Sequence, residues 1–158
     1  MAALADFNRT PVKLEALREA AHSRNVELSI HRIARSEDIA STISEAHAAG
    51  ATALNVLASP FLHGYRQLIL DYVRALRLPA NYQWPEPAEE GGLIGYGPRL
   101  VLMFKDVLPR QLSRLFAGVK VADIPVEQPT KFELVINLKT LRRWVSPCLR
   151  RYWHAPTR

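Results

Sequence analysis

Groups able to do chemistry are present in this chain of 158 residues, but their spacing does not assemble them into a reaction site. The five histidines (His22, His31, His47, His63 and His154) form no i, i+4 pair, and none is followed by Cys or Glu at metal-ligand spacing, so no metal site is expected. Cys148 is the single cysteine and can close no internal disulfide or zinc cluster. Ser59, in Ala58-Ser59-Pro60, lacks the flanking glycines of a nucleophile elbow and reads as a turn or ligand-contact residue. Glu86, Glu89 and Glu90 have the chemistry for acid–base work, yet they fall between Pro85 and Gly92, a loop-like stretch where solvated carboxylates are expected. Gly95-Tyr96-Gly97-Pro98-Arg99-Leu100 invites comparison with a dinucleotide-binding fingerprint and fails it. Leu100 stands in place of the third glycine, Pro98 removes an amide that could hold phosphate, and no strand-linked acid follows about twenty residues on. What remains is the start of a helix, whose free N–H groups favour a carboxylate ligand. The expectation is binding without catalysis, cofactor or metal.

Composition narrows the class further. With 48% hydrophobic and 23% charged residues the chain has enough apolar material for one core. Its longest uncharged stretch, Ala51 to Tyr65, is interrupted by Ser59, Pro60 and His63 and is too short and polar to span a bilayer. The opening, Met1 to Arg9, has no basic start and no apolar run of signal-peptide length, so the chain as written would stay in the cytoplasm. The net charge is +6, but Arg142, Arg143, Arg150, Arg151 and Arg158 all lie in an acid-free segment, 141–158. The excess therefore belongs to the tail, and nucleic acid is not an expected partner of the folded part. Interleaved with Trp144, Tyr152 and Trp153, the tail could anchor to nucleic acid or an acidic membrane; a solvated, disordered end is the expectation.

The elements that position these residues alternate regularly. Ala2 to Ala5 reads as a first, weakly apolar strand. Thr10-Pro11 suits an N-cap and first helical position, with Leu14, Leu17 and Ala21 as the inward stripe and Asn25 as the stop. Val26, Leu28 and Ile30 alternate as a half-buried strand would. Ser36-Glu37-Asp38 caps a second helix that carries Ile39, Ile43 and Ala46 and ends at Gly50. Ala53 to Leu57 is a short apolar run of the kind parallel sheets bury on both faces. Tyr65, Leu68, Ile69, Tyr72, Val73 and Leu76 recur at helical spacing, and Pro79 to Gln83 follows as a strand. Leu93 to Tyr96 is another. This order predicts an α/β fold, a Rossmann-like parallel sheet flanked by helices. Leu100 to Phe116 has helical spacing through Phe104, Leu108, Leu112 and Leu115, but Pro109 predicts a kink or split near Lys105. Phe132, Leu134, Ile136 and Leu138 alternate along a final strand.

Open parallel sheets bind ligands beyond the carboxyl ends of their strands. Here those ends are Asn8, Ser59 to Phe61, Trp84 to Glu86, and Tyr96-Gly97. Trp84 and Tyr96 offer flat apolar walls with a polar handle, and Ser59 and Asn8 offer hydrogen bonds. The candidate ligand-binding residues are thus Asn8, Ser59, Phe61, Trp84, Glu86 and Tyr96. Packing of the two aromatics against neighbouring loops is the alternative use for them.

Several of these segments carry a resemblance. Asp123-Ile-Pro-Val-Glu-Gln-Pro-Thr-Lys-Phe-Glu-Leu-Val-Ile-Asn-Leu-Lys139, together with Tyr82-Gln-Trp84, Glu90-Gly-Gly-Leu93 and Tyr96-Gly-Pro98, resembles the ABC-transporter substrate-binding family related to tryptophan-binding lipoproteins. The likeness runs from about Ala2 to Thr140. It implies a type I periplasmic-binding-protein fold, in which two Rossmann-like lobes close on a small solute and present it to an ABC permease, with a periplasmic location. On this comparison residues 1–97 are the second lobe and residues 98–140 a hinge-crossing helix and strand that belong partly to the first lobe. Residues 141–158 are a divergent basic tail, read as an out-of-frame or decayed end. The chain is expected to be a truncated binding component, about half of a full-length member, that binds solute weakly. Self-association through the surface left by the other lobe is a further expectation. Ser59 stands where the family commonly carries an acid or amide before the proline, which alters a ligand contact. The rival reading is a stand-alone Rossmann-like enzyme or ligand sensor, which requires an acid, base or nucleophile set.

Overall fold

The computed structural model of the chain describes residues 1–7 and 11–144. Its strands are β1 (Ala2–Asp6), β2 (Ser29–Ile33), β3 (Leu54–Val56), β4 (Ala80–Tyr82), β5 (Ile94–Gly97) and β6 (Glu133–Ile136). The helices between them are α1 (Pro11–His22), α2 (Asp38–Ala48), α3 (Pro60–Gly64), α4 (Arg66–Ala75), α5 (Glu86–Glu89), α6 (Leu100–Phe116) and α7 (Leu138–Trp144). One sheet holds all six strands in the order β2-β1-β3-β4-β5-β6. The first five run parallel, as the strand–helix alternation requires, and β6 joins β5 antiparallel with Gly95 opposite Val135. Sequence reversal occurs between β1 and β3, so the fold has a topological switch point at their carboxyl ends.

The weakly apolar first strand is the centre of this sheet. Ala2 to Ala5 have no exposed surface, and their small side chains let helices close in on both faces. On one face Ala2 and Leu4 pack with Leu54 and Val56 under Ile39 and Ile43 of α2 and Ile69, Leu70 and Val73 of α4. On the other, a smaller cluster joins Ala5, Leu57 and Leu14 of α1. Each fully buried aliphatic side chain contributes on the order of 1.5–3 kcal/mol, so the α2–α4 face carries most of the stability. Asn25 and Gly50 take left-handed backbone (φ 53° and 92°) and end α1 and α2 as their residue types imply. Arg77 does the same after α4 with φ 50°, where nothing in its side chain announces it.

Several expectations need correction. The second strand begins at Ser29, and Val26 is exposed, because the backbone first turns at Asn25 before it can pair with β1. Ser36 does not cap α2; the N-cap is Glu37, without a side-chain bond, and Arg35 holds Asp38 at the helix start instead. Pro85 to Gly92 contains a short helix, α5, and its carboxylates are bonded rather than free. Of the kink or split expected near Lys105, the split does not occur: α6 runs through Pro109 as a single helix. No residue of α6 is buried, so a carbonyl left without its partner by Pro109 has access to water and the cost of the missing bond is reduced. The apolar stripe of α6 (Val101, Phe104, Leu108, Leu112 and Leu115) and the β6 residues Leu134 and Ile136 lie exposed. The basic segment begins in ordered structure, since 141–144 form the last turn of α7; residues 145–158, like Asn8 and the Thr10 cap, lie outside the described residues.

Candidate functional site

The carboxyl ends of the parallel strands are where a ligand was expected, and among the described residues each of the five candidates there has identifiable contacts. Ser59 closes β3. Its Oγ accepts from the backbone N–H groups of Phe61 (3.1 Å) and Leu62 (3.4 Å), capping α3, and donates to Asp6 Oδ2 at the tip of β1 (2.7 Å). With 5% of its surface exposed, it fastens β1 to β3 at the switch point. Phe61 packs edge-on to Tyr65 with ring centroids 5.2 Å apart. Trp84, just past β4, meets His63 of α3 edge-on at 5.1 Å. Tyr96, inside β5, is 57% exposed and lies 5.9 Å from the ring of Phe132. Ser59, Trp84 and Tyr96 therefore mark three neighbouring strands at one edge of the sheet, with roughly 5 Å between adjacent strands. Asn8 lies outside the described residues.

Glu86 does something the sequence did not announce. Its Oε1 accepts from the backbone N–H of Leu100 (2.9 Å), so the start of α6 already holds a carboxylate of the protein's own. The first amide of α6 is therefore already taken by the protein's own carboxylate. Oε2 of Glu86 and Nδ1 of His63 are buried with no hydrogen-bond partner among the described residues. Burial, reinforced by the nearby Arg66 charge, holds the His63 imidazolium below its ordinary pKa. Burial also pushes the Tyr82 phenol well above its ordinary value.

The other two carboxylates of this loop, Glu89 and Glu90, are ion-paired. Arg66 and Gln67 both donate to Glu90, which ties α4 to the end of α5. Arg99 forks onto both oxygens of Glu89 (2.9 Å each) and reaches Glu133 Oε2 at 2.7 Å. These bonds hold both carboxyls below, and the guanidinium above, their ordinary values. One side chain thus joins α5, the root of α6 and the start of β6. Asn137 adds a second tie, donating to Ala88 O (2.8 Å) and accepting from the first amides of α7, while Thr140 donates to Gly91 O.

Sequence reasoning also passed over the β1–β2 tip. Arg32 lays its guanidinium over the ring of Phe7, 4.7 Å from the centroid, and donates to the carbonyl of Phe7. The signal available was its place at the end of a strand next to the central one. A groove of about 210 Å³ lies elsewhere, between α6 and residues 127–133, walled by Met103, Val107, Pro129 and Thr130 with Arg110 paired to Glu127. It is smaller than ordinary ligand sites and touches the strand-tip edge only through Pro98, Arg99 and Glu133. Among the described residues no helix is long and apolar enough to cross a membrane.

Comparisons with known proteins agree with this architecture. A family model described as ABC transporter substrate binding protein matches residues 5–145. No curated protein matches the chain. Among solved structures, the ABC domain in complex with L-Trp from Streptococcus pneumonia is 17% identical with a TM-score of 0.79, covering 90% of this chain and 48% of that one. A conserved domain protein from Vibrio cholerae is 13% identical with a TM-score of 0.77, covering 95% and 52%. A ligand-free, open substrate binding protein with adhesive properties from Clostridium difficile is 16% identical with a TM-score of 0.60, covering 90% and 48%. At these identities the likeness is one of fold. The chain spans about half the length of each of these structures.

Proposed function

From the premise that this chain belongs to the ABC transporter substrate binding protein family, we propose that it takes a small organic solute of amino-acid size at its strand tips and serves an ABC permease without performing catalysis. The observation that carries the reading is that Ser59, the His63–Trp84 pair and Tyr96 lie at the carboxyl-end side of three adjacent strands, in a chain of this family. Ring faces that keep part of their surface open give a flat apolar solute area to stack on, and the anchored polar groups set its orientation. The L-Trp complex of one structural relative supports an amino acid as the solute class. A binding role also fits the state of Ser59, whose hydroxyl has a structural use, capping α3 and donating to Asp6. Work of this kind takes place outside the cytoplasm, in the periplasm or its equivalent.

The test is a thermal-shift panel of amino acids and small organic acids on the purified chain. A solute held at a hundred times its dissociation constant stabilises by about 2.7 kcal/mol. For a chain of this length that raises Tm by roughly 5–10 °C. Absence of a shift from every solute at millimolar concentration, with the protein folded by circular dichroism, overturns the reading.

A further inference from the structure

Three positive devices near the strand tips are already answered by the protein's own carboxyl groups. Arg66 is taken by Glu90, Arg99 by Glu89 and Glu133, and the first amide of α6 by Glu86. Arg32 differs. Its partners are the face of Phe7 and the carbonyl oxygen of Phe7, both uncharged, and among the described residues no acid pairs with it. Asp6, its neighbour across the β1–β2 tip, turns Oδ2 to the hydroxyl of Ser59 instead. The result is a full positive charge whose plane is held by stacking and by one hydrogen bond, with most of its N–H donors unspent among the described residues. It stands beside the tip of β1, one strand away from the switch point between β1 and β3 where ligands of such sheets collect.

We propose that Arg32, held by Phe7, receives a carboxylate of the solute, so that the ligand class is an amino acid or small organic acid with its carboxylate free. This rests on the proposed binding role and adds a recognition element to it. A planar guanidinium pairs with carboxylate through two parallel bonds, and stacking on Phe7 removes the rotational freedom that an exposed arginine otherwise loses on binding. An ammonium in the same place is repelled, and a neutral amide offers only an uncharged acceptor, which bonds more weakly than a carboxylate.

The experiment measures dissociation constants by calorimetry for the wild type, R32Q, R32K and, as a control for loss of one exposed charge elsewhere, R24Q. The probes are the natural amino acids and a set of aliphatic and aromatic monocarboxylates, each beside its primary amide. Expected is that a carboxylate probe binds the wild type and R24Q alike, weakens at least about tenfold in R32Q, and weakens less in R32K, while its amide binds no better than R32Q does the acid. Equal affinity for a carboxylate in the wild type, R32Q and R32K overturns the inference and leaves the binding role standing. Binding of amides in preference to acids does the same. Failure of every probe with folded wild type overturns the binding role and this inference with it. If R32Q does not fold, R32K and the acid–amide comparison on the wild type decide the question by themselves.

Discussion

Changing Gly97 to alanine probes the backbone contact on which the β4–β5 edge of the site depends. A Cβ at this position would stand 2.1 Å from the carbonyl oxygen of Gln83 and 3.0 Å from its carbon. An ordinary carbon–oxygen contact is about 3.3 Å, so the two backbones would have to part by roughly 1.2 Å. The obstacle is main chain and cannot rotate away. A shift of that size carries neighbouring ladder bonds past hydrogen-bonding range, which costs about 1 kcal/mol for each bond lost, on top of about 1–3 kcal/mol for overpacking. The expected loss is about 3 kcal/mol, read as a fall of 1 M or more in the urea midpoint at a slope of about 1–3 kcal/mol/M. Gly95→Ala should behave alike, since its Cβ would meet Trp84 O at 2.3 Å. Gly64→Ala is the control: nothing lies within 4 Å of its Cβ, and the change should be neutral or stabilise by up to about 1 kcal/mol. Gly97→Ala unfolding within 0.5 kcal/mol of the wild type, on the ~1 kcal/mol scale of a single hydrogen bond, would refute the reasoning.

Ser59→Ala removes an acceptor for two helix amides and the donor to Asp6, and should lower stability by about 1–2 kcal/mol in the same assay, with Ser59→Thr recovering most of it. The carboxyls of Glu89 and Glu133 are held below their ordinary values by Arg99, so their contribution is complete above the unfolded carboxylate range of about pH 4.3 and is lost as pH falls through the lower folded values. The stability difference between wild type and Arg99→Met, followed by urea midpoints from pH 7 to pH 3, should stay level to about pH 5 and shrink below about pH 4. The imidazole of His63 is depressed by burial, so its contribution is complete above about pH 6.5 and is lost as pH falls through its folded value. Its ring proton signals in NMR should titrate with a midpoint below 6.5, and His63→Gln should flatten the stability profile between pH 7 and pH 5; a midpoint at or above 6.5 would remove the burial argument.

The buried half of the fold was readable because its signals are local. Ile39 and Ile43 recur at helical spacing, Ala53 to Leu57 form a nearly continuous apolar run broken only by Asn55, and Asn25 and Gly50 stop their helices with the backbone their side chains permit. Strand direction has no such signature: Leu134 and Ile136 alternate in the same way whether β6 runs with β5 or against it. The roles of Glu86, Glu89 and Glu90 were unreadable for a related reason, since Leu100, Arg99 and Arg66 lie 10 to 24 residues away and only the fold brings them in. Ser59 was singled out correctly as a strand-end residue, but its hydroxyl had two candidate uses, and only Asp6, 53 residues distant, shows that it also pins β1. Arg32 went unnoticed because the reading followed aromatic and small polar residues at strand ends and ignored a charge on β2 whose partner, Phe7, belongs to another strand's tip.

Arg99 acts as a rivet. Three separate elements of the chain are fastened at one guanidinium, and turning the base of α6 would shear the bonds to Glu89 and Glu133 together. Any bending between the sheet and the outlying helix must therefore draw its compliance from beyond that fastening, where residues 117–132 return toward β6. Because a guanidinium keeps its proton at every pH a cell reaches, the joint cannot be unlocked by alkali; only titrating or replacing its two acids loosens it.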